Sequence, residues 1–207
     1  MTALSDALSP APPAPPAAEP IRTSITHPLR IDEVVVPARL TDAGSAGVGR
    51  IGLCICPGKC GRSIMGNPWR RDLALDLEVV RRWQPDAVLT LLEAHEFEML
   101  HVNALGPRLN ALGIAWHHLP IVDMQPPDER FETAWRDHGP GLRAALRRGG
   151  RVLVHCRGGL GRSGLVAARM LVELALPPPL AVAAVRAARP GAIETEAQMR
   201  HVLNLAG

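Results

Sequence analysis

The stretch Arg151-Val152-Leu153-Val154-His155-Cys156-Arg157-Gly158-Gly159-Leu160-Gly161-Arg162-Ser163-Gly164 constrains this chain more than any other. The apolar run Val152 to Val154 predicts a short buried strand, and the residues from Ser163 onward predict an apolar helix. A cysteine is thus carried from a strand into a glycine-rich turn that opens a helix. Glycines at 158, 159 and 161 let backbone N–H groups converge on one point, and the helix start adds free donors and the positive end of its dipole. Such a cradle suits a tetrahedral dianion. Cys156 at its floor is expected to ionise readily, its pKa drawn from ~8.5 towards the ~3.5–7.5 range of activated cysteines. A thiolate facing a bound phosphate is a nucleophile.

The spacing from Cys156 to Arg162 places a guanidinium across the turn from the sulfur. Arginine suits that place because its planar fork can grip two oxygens of a transferring phosphoryl group at once. A bare cysteine, five residues and an arginine would be a weak sign, since a glycine-rich turn can carry an incidental cysteine. Here the match is embedded between a strand and a helix, with His155 before it and Gly161-Arg162-Ser163-Gly164 closing it. That context makes residues 157–162 a phosphate-binding loop.

Composition narrows the rest. A chain of 207 residues, 47% of them hydrophobic, has room for one domain with a sizeable core. Its net charge of +3 is mild and its basic residues are interspersed with acids, so no nucleic-acid partner is expected. Arg143, Arg147, Arg148, Arg151, Arg157 and Arg162 do cluster around the loop in sequence, where their field would draw in phosphorylated substrates, although Arg143, Arg147 and Arg148 read more simply as solvated helix-face arginines. Four cysteines do not make a disulfide framework, and no apolar run approaches the ~18 residues that span a bilayer, so a cytoplasmic protein without membrane attachment is expected. The Ala- and Pro-rich residues 1–20 read as a disordered tail, which leaves 21–207 as the single domain.

Along that domain, Val34 to Val36 predicts an edge strand stopped by Pro37, with a glycine-rich loop at 44–49. Ile51 to Cys56 reads as a buried strand running into a second cysteine, five residues and an arginine, Cys56 to Arg62. This stretch mimics the later loop but lacks its machinery. Pro57 removes an N–H, no histidine precedes Cys56, and Gly66 and Pro68 oppose a following helix. Cys54, Cys56 and Cys60 lack zinc spacing; a reversible disulfide with Cys156 is a conceivable use for one of them. Leu73, Leu77, Val80 and Trp83 mark an amphipathic helix over 71–83. A strand at 87–92, short helices at 93–102 and 107–112, and a strand at 114–119 follow. Residues 129–148 read as a helix broken at Gly139-Pro140-Gly141; beyond the loop, helices are expected at 163–176, 180–189 and 194–205. Alternating strands and helices imply an α/β fold with a central, mostly parallel twisted sheet flanked by helices.

Displacement at phosphorus also needs an acid to protonate the departing oxygen. Asp123 is the candidate, because it falls just after the strand at 114–119, on a loop presented at the carboxyl edge of the sheet. Asp128, directly before a helix, reads instead as its N-cap. His117 and His118 are adjacent on a strand and point to opposite faces, so they cannot readily share a metal ion, and packing is the expected role.

These segments resemble the protein tyrosine and dual-specificity phosphatase superfamily, whose signature is a histidine, a cysteine, five residues, an arginine and a serine or threonine. Within it the chain is most similar to the kinase-associated phosphatase group. The resemblance rests on residues 155–163, on His117-His118-Leu119-Pro120-Ile121-Val122-Asp123, on Leu53-Cys54 with Pro57-Gly58, and on Arg189-Pro190-Gly191-Ala192-Ile193 with Thr195 and Gln198. It implies a cysteine-phosphatase fold with Cys156 as nucleophile, Arg162 as phosphate clamp, Asp123 as acid and later base, and Ser163 helping the thiolate leave. His155 would support the cysteine, and Arg157, Gly158, Gly159, Leu160 and Gly161 would bind phosphate with Arg162. Glu194 stands where relatives usually carry glutamine, which leaves Gln198 to position water. No cofactor or metal is implied, and the expected partner is a phosphorylated protein substrate. Three other readings remain open. A phosphoinositide phosphatase would be expected to carry lysines where this loop has Gly158-Gly159-Leu160, a phosphoprotein-binding pseudoenzyme would lack part of the catalytic set, and an arsenate reductase would need Cys54, Cys56 or Cys60 as resolving thiols.

Overall fold

The computed structural model describes residues 20–42, 44, 47–62 and 66–205; most of the Ala- and Pro-rich tail lies outside the described residues. Eight strands and seven α-helices are described: β1 (Arg22–Thr23), β2 (Asp32–Val35), β3 (Arg50–Ile55), β4 (Cys60–Gly61), β5 (Trp69–Arg70), α1 (Leu73–Trp83), β6 (Ala87–Thr90), α2 (Ala94–Met99), α3 (Leu105–Ala111), β7 (Ala115–His118), α4 (Glu129–Arg147), β8 (Arg151–Cys156), α5 (Gly161–Glu173), α6 (Pro178–Ala188) and α7 (Glu196–Leu203). The main sheet has the order β2-β3-β8-β6-β7, and β1, β5 and β4 form a small second sheet. Only β2 runs antiparallel to its neighbour; the other pairings in the main sheet are parallel. The α/β architecture is the expected one.

The middle strand of that sheet is β8, so its residues are buried on both faces from Val152 to Cys156. Alternation along the strands splits the core in two. Val152, Val154 and Cys156 pack with α4, α5, α6 and α7, whereas Leu153 packs with α1, α3 and the α2–α3 turn. α5 is the helix at the centre of the first layer. All its residues but Glu173 are buried, which accounts for its nearly unbroken apolar and small-residue sequence. Its one internal arginine beyond the loop, Arg169, is held by Glu132 and Glu173 and lies over the rings of Phe131 and Trp135.

Helix α4 departs from the expectation of a break. It continues through Pro140 from Glu129 to Arg147, with Phe131, Trp135, Gly139, Leu142 and Leu146 on the buried face. Pro140 is exposed, so the carbonyl of Arg136 that loses its N–H partner lies on the solvent side, where water can satisfy it. The packed face then outweighs the local breaker. The basic cluster also needs correction. Arg151 opens β8 and donates to Trp83 O at 2.6 Å, and Arg143 pairs with Glu173. A six-residue strand separates Arg151 from Cys156, roughly 16 Å at the usual rise. Arg151 is therefore at the far end of the sheet from the loop.

Candidate active site

β8 delivers Cys156 to the carboxyl edge of the sheet, where the chain turns through residues 157–160 into α5. Gly159 makes the turn possible. Its φ is +69°, and a Cβ there would lie 2.2 Å from the carbonyl oxygen of Cys54. Its N–H donates to Cys156 Sγ at 3.2 Å, and Ser163 Oγ, one turn into α5, stands 3.6 Å from the same sulfur. Carbonyls of the loop face away and are braced. Arg157 O accepts from Lys59 Nζ at 3.2 Å, Gly158 O from Arg189 Nη2 at 3.2 Å, and Leu160 O from the N–H groups of Gly164 and Ile193. With these carbonyls braced, the loop's N–H groups serve negative charge: that of Gly159 meets the sulfur and that of Gly161 a carboxylate.

Arg162 is fully buried and held by a partner the sequence reading missed. Glu96 receives Nη1 at 2.5 Å and Nη2 at 2.9 Å, while Nη1 also donates to Leu91 O and Ile121 O. Burial alone would weaken the charge on this guanidinium, but Glu96 raises its pKa above the ordinary arginine value. Burial works equally against the Glu96 carboxylate, and Arg162 reverses that too, leaving its pKa lowered. A signal for Glu96 was present: Glu93 and Glu96 form a capping box that opens α2 immediately after β6, at the same sheet edge as the loop. Arg162 Nη2 is also 3.0 Å from Asp123 Oδ1, which brings the acid expected from the sequence to the cysteine loop. Asp128 does not join them; it caps α4 through the N–H groups of Arg130 and Phe131.

His155 points to the other face of β8, into a buried polar group. Its Nε2 is 2.7 Å from Thr90 Oγ1, which also accepts from Trp116 Nε1 at 2.9 Å. Burial pushes its pKa down to about 4, so the ring is neutral and serves to fix the end of the strand. His118 donates Nε2 to Leu92 O and packs against Phe97, whereas His117 lies against His138. Among the described residues, no group of three or more His, Cys, Asp or Glu is placed to hold a metal ion.

The segment after α6 clasps the loop from outside. Gln198 is fully buried; its Oε1 accepts from the N–H groups of Glu194 and Thr195, and its Nε2 donates to Gln125 O, two residues beyond Asp123. Thr195 Oγ1 donates to Met124 O at 3.2 Å. Gln198 thus ties the acid loop to α7 while lining the back of the cradle, 2.9 Å from where a Gly161 side chain would begin. Glu194 Oε2 accepts from the Gly161 N–H at 2.7 Å. Cys54 and Cys56, in contrast, lie in the core on the opposite face of the sheet from Cys156, and burial drives both thiols well above their ordinary pKa. All four cysteines are free thiols in this structure.

A strand-borne cysteine, an outward-braced glycine turn and a helix-borne arginine at the switch from strand to helix define a cysteine-phosphatase fold, and solved structures agree. Kinase associated phosphatase, solved with its catalytic-site cysteine replaced by serine, superposes with a TM-score of 0.70 at 28% identity, over 84% of this chain and 92% of that one. Tk-PTP in its active form gives 0.56 at 30% identity, over 78% and 95%. The chain belongs to the cyclin-dependent kinase inhibitor 3 (CDKN3) family, whose model matches residues 27–179. The rat protein of that name is 32% identical over 155 residues, covering 73% of this chain and 69% of the relative, and the human one is 30% identical over the same shares. Among the described residues no helix is long and apolar enough to cross a membrane.

Proposed function

We propose that this chain hydrolyses phosphomonoesters of proteins, on tyrosine, serine or threonine, through a phosphocysteine intermediate. The observation that carries the reading is a loop in which the Gly159 N–H meets Cys156 Sγ and an Arg162 locked by Glu96 meets Asp123. In the first step the Cys156 thiolate attacks phosphorus, the P–O bond to the leaving group breaks, and Asp123 gives its proton to the departing oxygen. In the second, water attacks phosphorus, its proton passes to Asp123, and the S–P bond breaks with Ser163 Oγ donating to the returning thiolate. Loop N–H groups and Arg162 hold the equatorial oxygens throughout, so catalysis is positioning plus charge stabilisation. A protein substrate is supported by the relatives, one named a kinase inhibitor and one a kinase associated phosphatase. Incubation with a ³²P-labelled phosphoprotein and rapid acid quench is expected to leave label on Cys156 in a tryptic map. Turnover of an aryl phosphate with no label at that peptide would refute the intermediate.

A further inference from the structure

Resting on that reading and going beyond it, we propose that Glu194 is a built-in competing anion that sets which oxyanions the cradle retains. Its carboxylate occupies the Gly161 N–H that a bound phosphate would use. Gly161 is the first residue of α5, so its N–H is one of the donors the helix leaves free. Glu194 Oε2 takes that donor at 2.7 Å.

The backbone beneath Glu194 is built to hold it there. Ile193, a β-branched residue, sits at φ +60°, a conformation such residues rarely adopt, and its N–H donates to Leu160 O in the loop itself. Arg186 donates from Nε to Ala192 O and from Nη2 to Ile193 O, each at 3.0 Å, and Gln198 fixes the Glu194 N–H. Glu194 itself is exposed. The carboxylate therefore has a rigid base and a free path to water. Asp123 occupies Arg162 Nη2 in the same manner, while Arg162 Nε is buried without a partner among the described residues.

Two of the protein's own carboxylates thus sit on donors meant for a dianion. Asp123 has work to do during the reaction and must be near. Glu194 has none in the two steps above, and a negative charge beside a phosphate dianion repels it. A small oxyanion, held by the cradle alone, has to eject Glu194 with no compensation. An ester substrate adds the contacts of its leaving group. Glu194 therefore weakens retention of product phosphate and other free oxyanions relative to substrate.

The test is isothermal titration of sulfate and of inorganic phosphate into the full chain and into its Glu194→Gln and Glu194→Ala variants. Both variants are expected to bind both anions about tenfold tighter, equivalent to about 1.4 kcal/mol, with inorganic phosphate becoming a correspondingly stronger inhibitor of aryl phosphate turnover. Unchanged or weaker anion binding in both variants overturns the proposal; a lowered melting temperature with no gain in affinity would show that Glu194 only supports the segment. If the wild-type chain hydrolyses an aryl phosphate and the affinities do not change, this inference alone fails. If the wild-type chain neither hydrolyses the ester nor forms the phosphocysteine, both readings fail together.

Discussion

Two neighbouring strands of the same sheet, β3 and β8, each end near a cysteine followed by five residues and an arginine, yet only one of the two turns has the makings of a site. After Cys156 the chain enters the buried helix α5, whose first N–H, that of Gly161, is held by Glu194. After Cys56 it meets Pro57, which has no N–H, and passes to the short strand β4. The amides of that first turn are consumed: Gly58 N–H by Asp76 at 2.8 Å, Lys59 N–H by Cys56 O, and Cys60 N–H by Leu100 O. Arg62 is exposed, whereas Arg162 is buried and locked. Each turn has a carboxylate on a loop amide. Asp76 is buried and tied to Arg71 through both oxygens, so it is a permanent part of its turn; Glu194 comes from an exposed residue and can leave. Spacing between cysteine and arginine says little by itself. What separates the two is whether the groups on the intervening N–H donors are locked in place, as Asp76 is, or can give way.

The comparison can be broken most directly at the sulfurs. Cys156→Ser should reduce aryl phosphate turnover below detection, whereas Cys56→Ser should leave kcat within about twofold of wild type; loss of turnover in both would make the first turn part of the site. Next come the acids near each other in sequence. Asp123→Ala is expected to lower kcat for unactivated esters by about 10²–10⁴. Asp128→Ala should instead leave kcat unchanged and cost about 1 kcal/mol of stability in urea unfolding, through loss of the α4 cap.

The two buried ion pairs give a third contrast. Glu96→Gln and Asp76→Asn each strand a buried arginine and should each destabilise by about 3–5 kcal/mol. Only Glu96→Gln should also raise KM and lower kcat in the fraction that remains folded, because in the proposed mechanism only Arg162 grips substrate. A last contrast concerns the histidine that the first turn lacks, whose effect appears only as pH falls. With the His155 pKa held at about 4 in the folded state, the unfolded chain takes up its proton first as pH falls below the ordinary value of 6.5. The stability this group contributes is complete above pH 6.5 and lost progressively as pH falls towards 4, amounting to about 3 kcal/mol at most. Urea midpoints measured across that range should fall less steeply in His155→Asn.

Much of this was legible in the chain alone, where the informative residues lie within a turn or two of one another. Val152 to Ser163 encode strand, turn and helix locally; Pro57 removes a donor wherever the chain goes; Asp128 caps the helix that begins at its own N–H neighbours. Such readings depend on reach along the backbone, and reach is set by the residue types. Pro140 shows where local reasoning ends. The same residue that breaks an isolated helix is tolerated when it faces water and its neighbours at 135, 142 and 146 are packed.

Residues 151–163 encode the setting of Cys156 locally: a cysteine at a strand end, a glycine-rich turn, and an arginine in the first turn of a helix. Tertiary structure alone decided the partners, because they depend on which strands lie side by side. Glu96 meets Arg162 across 66 residues since β6 and β8 are adjacent and end at one edge. Glu194 meets Gly161 across 33, because the segment after α6 folds back over the start of α5. No periodicity or spacing encodes those distances; they follow from the order of strands and the packing of helices upon them.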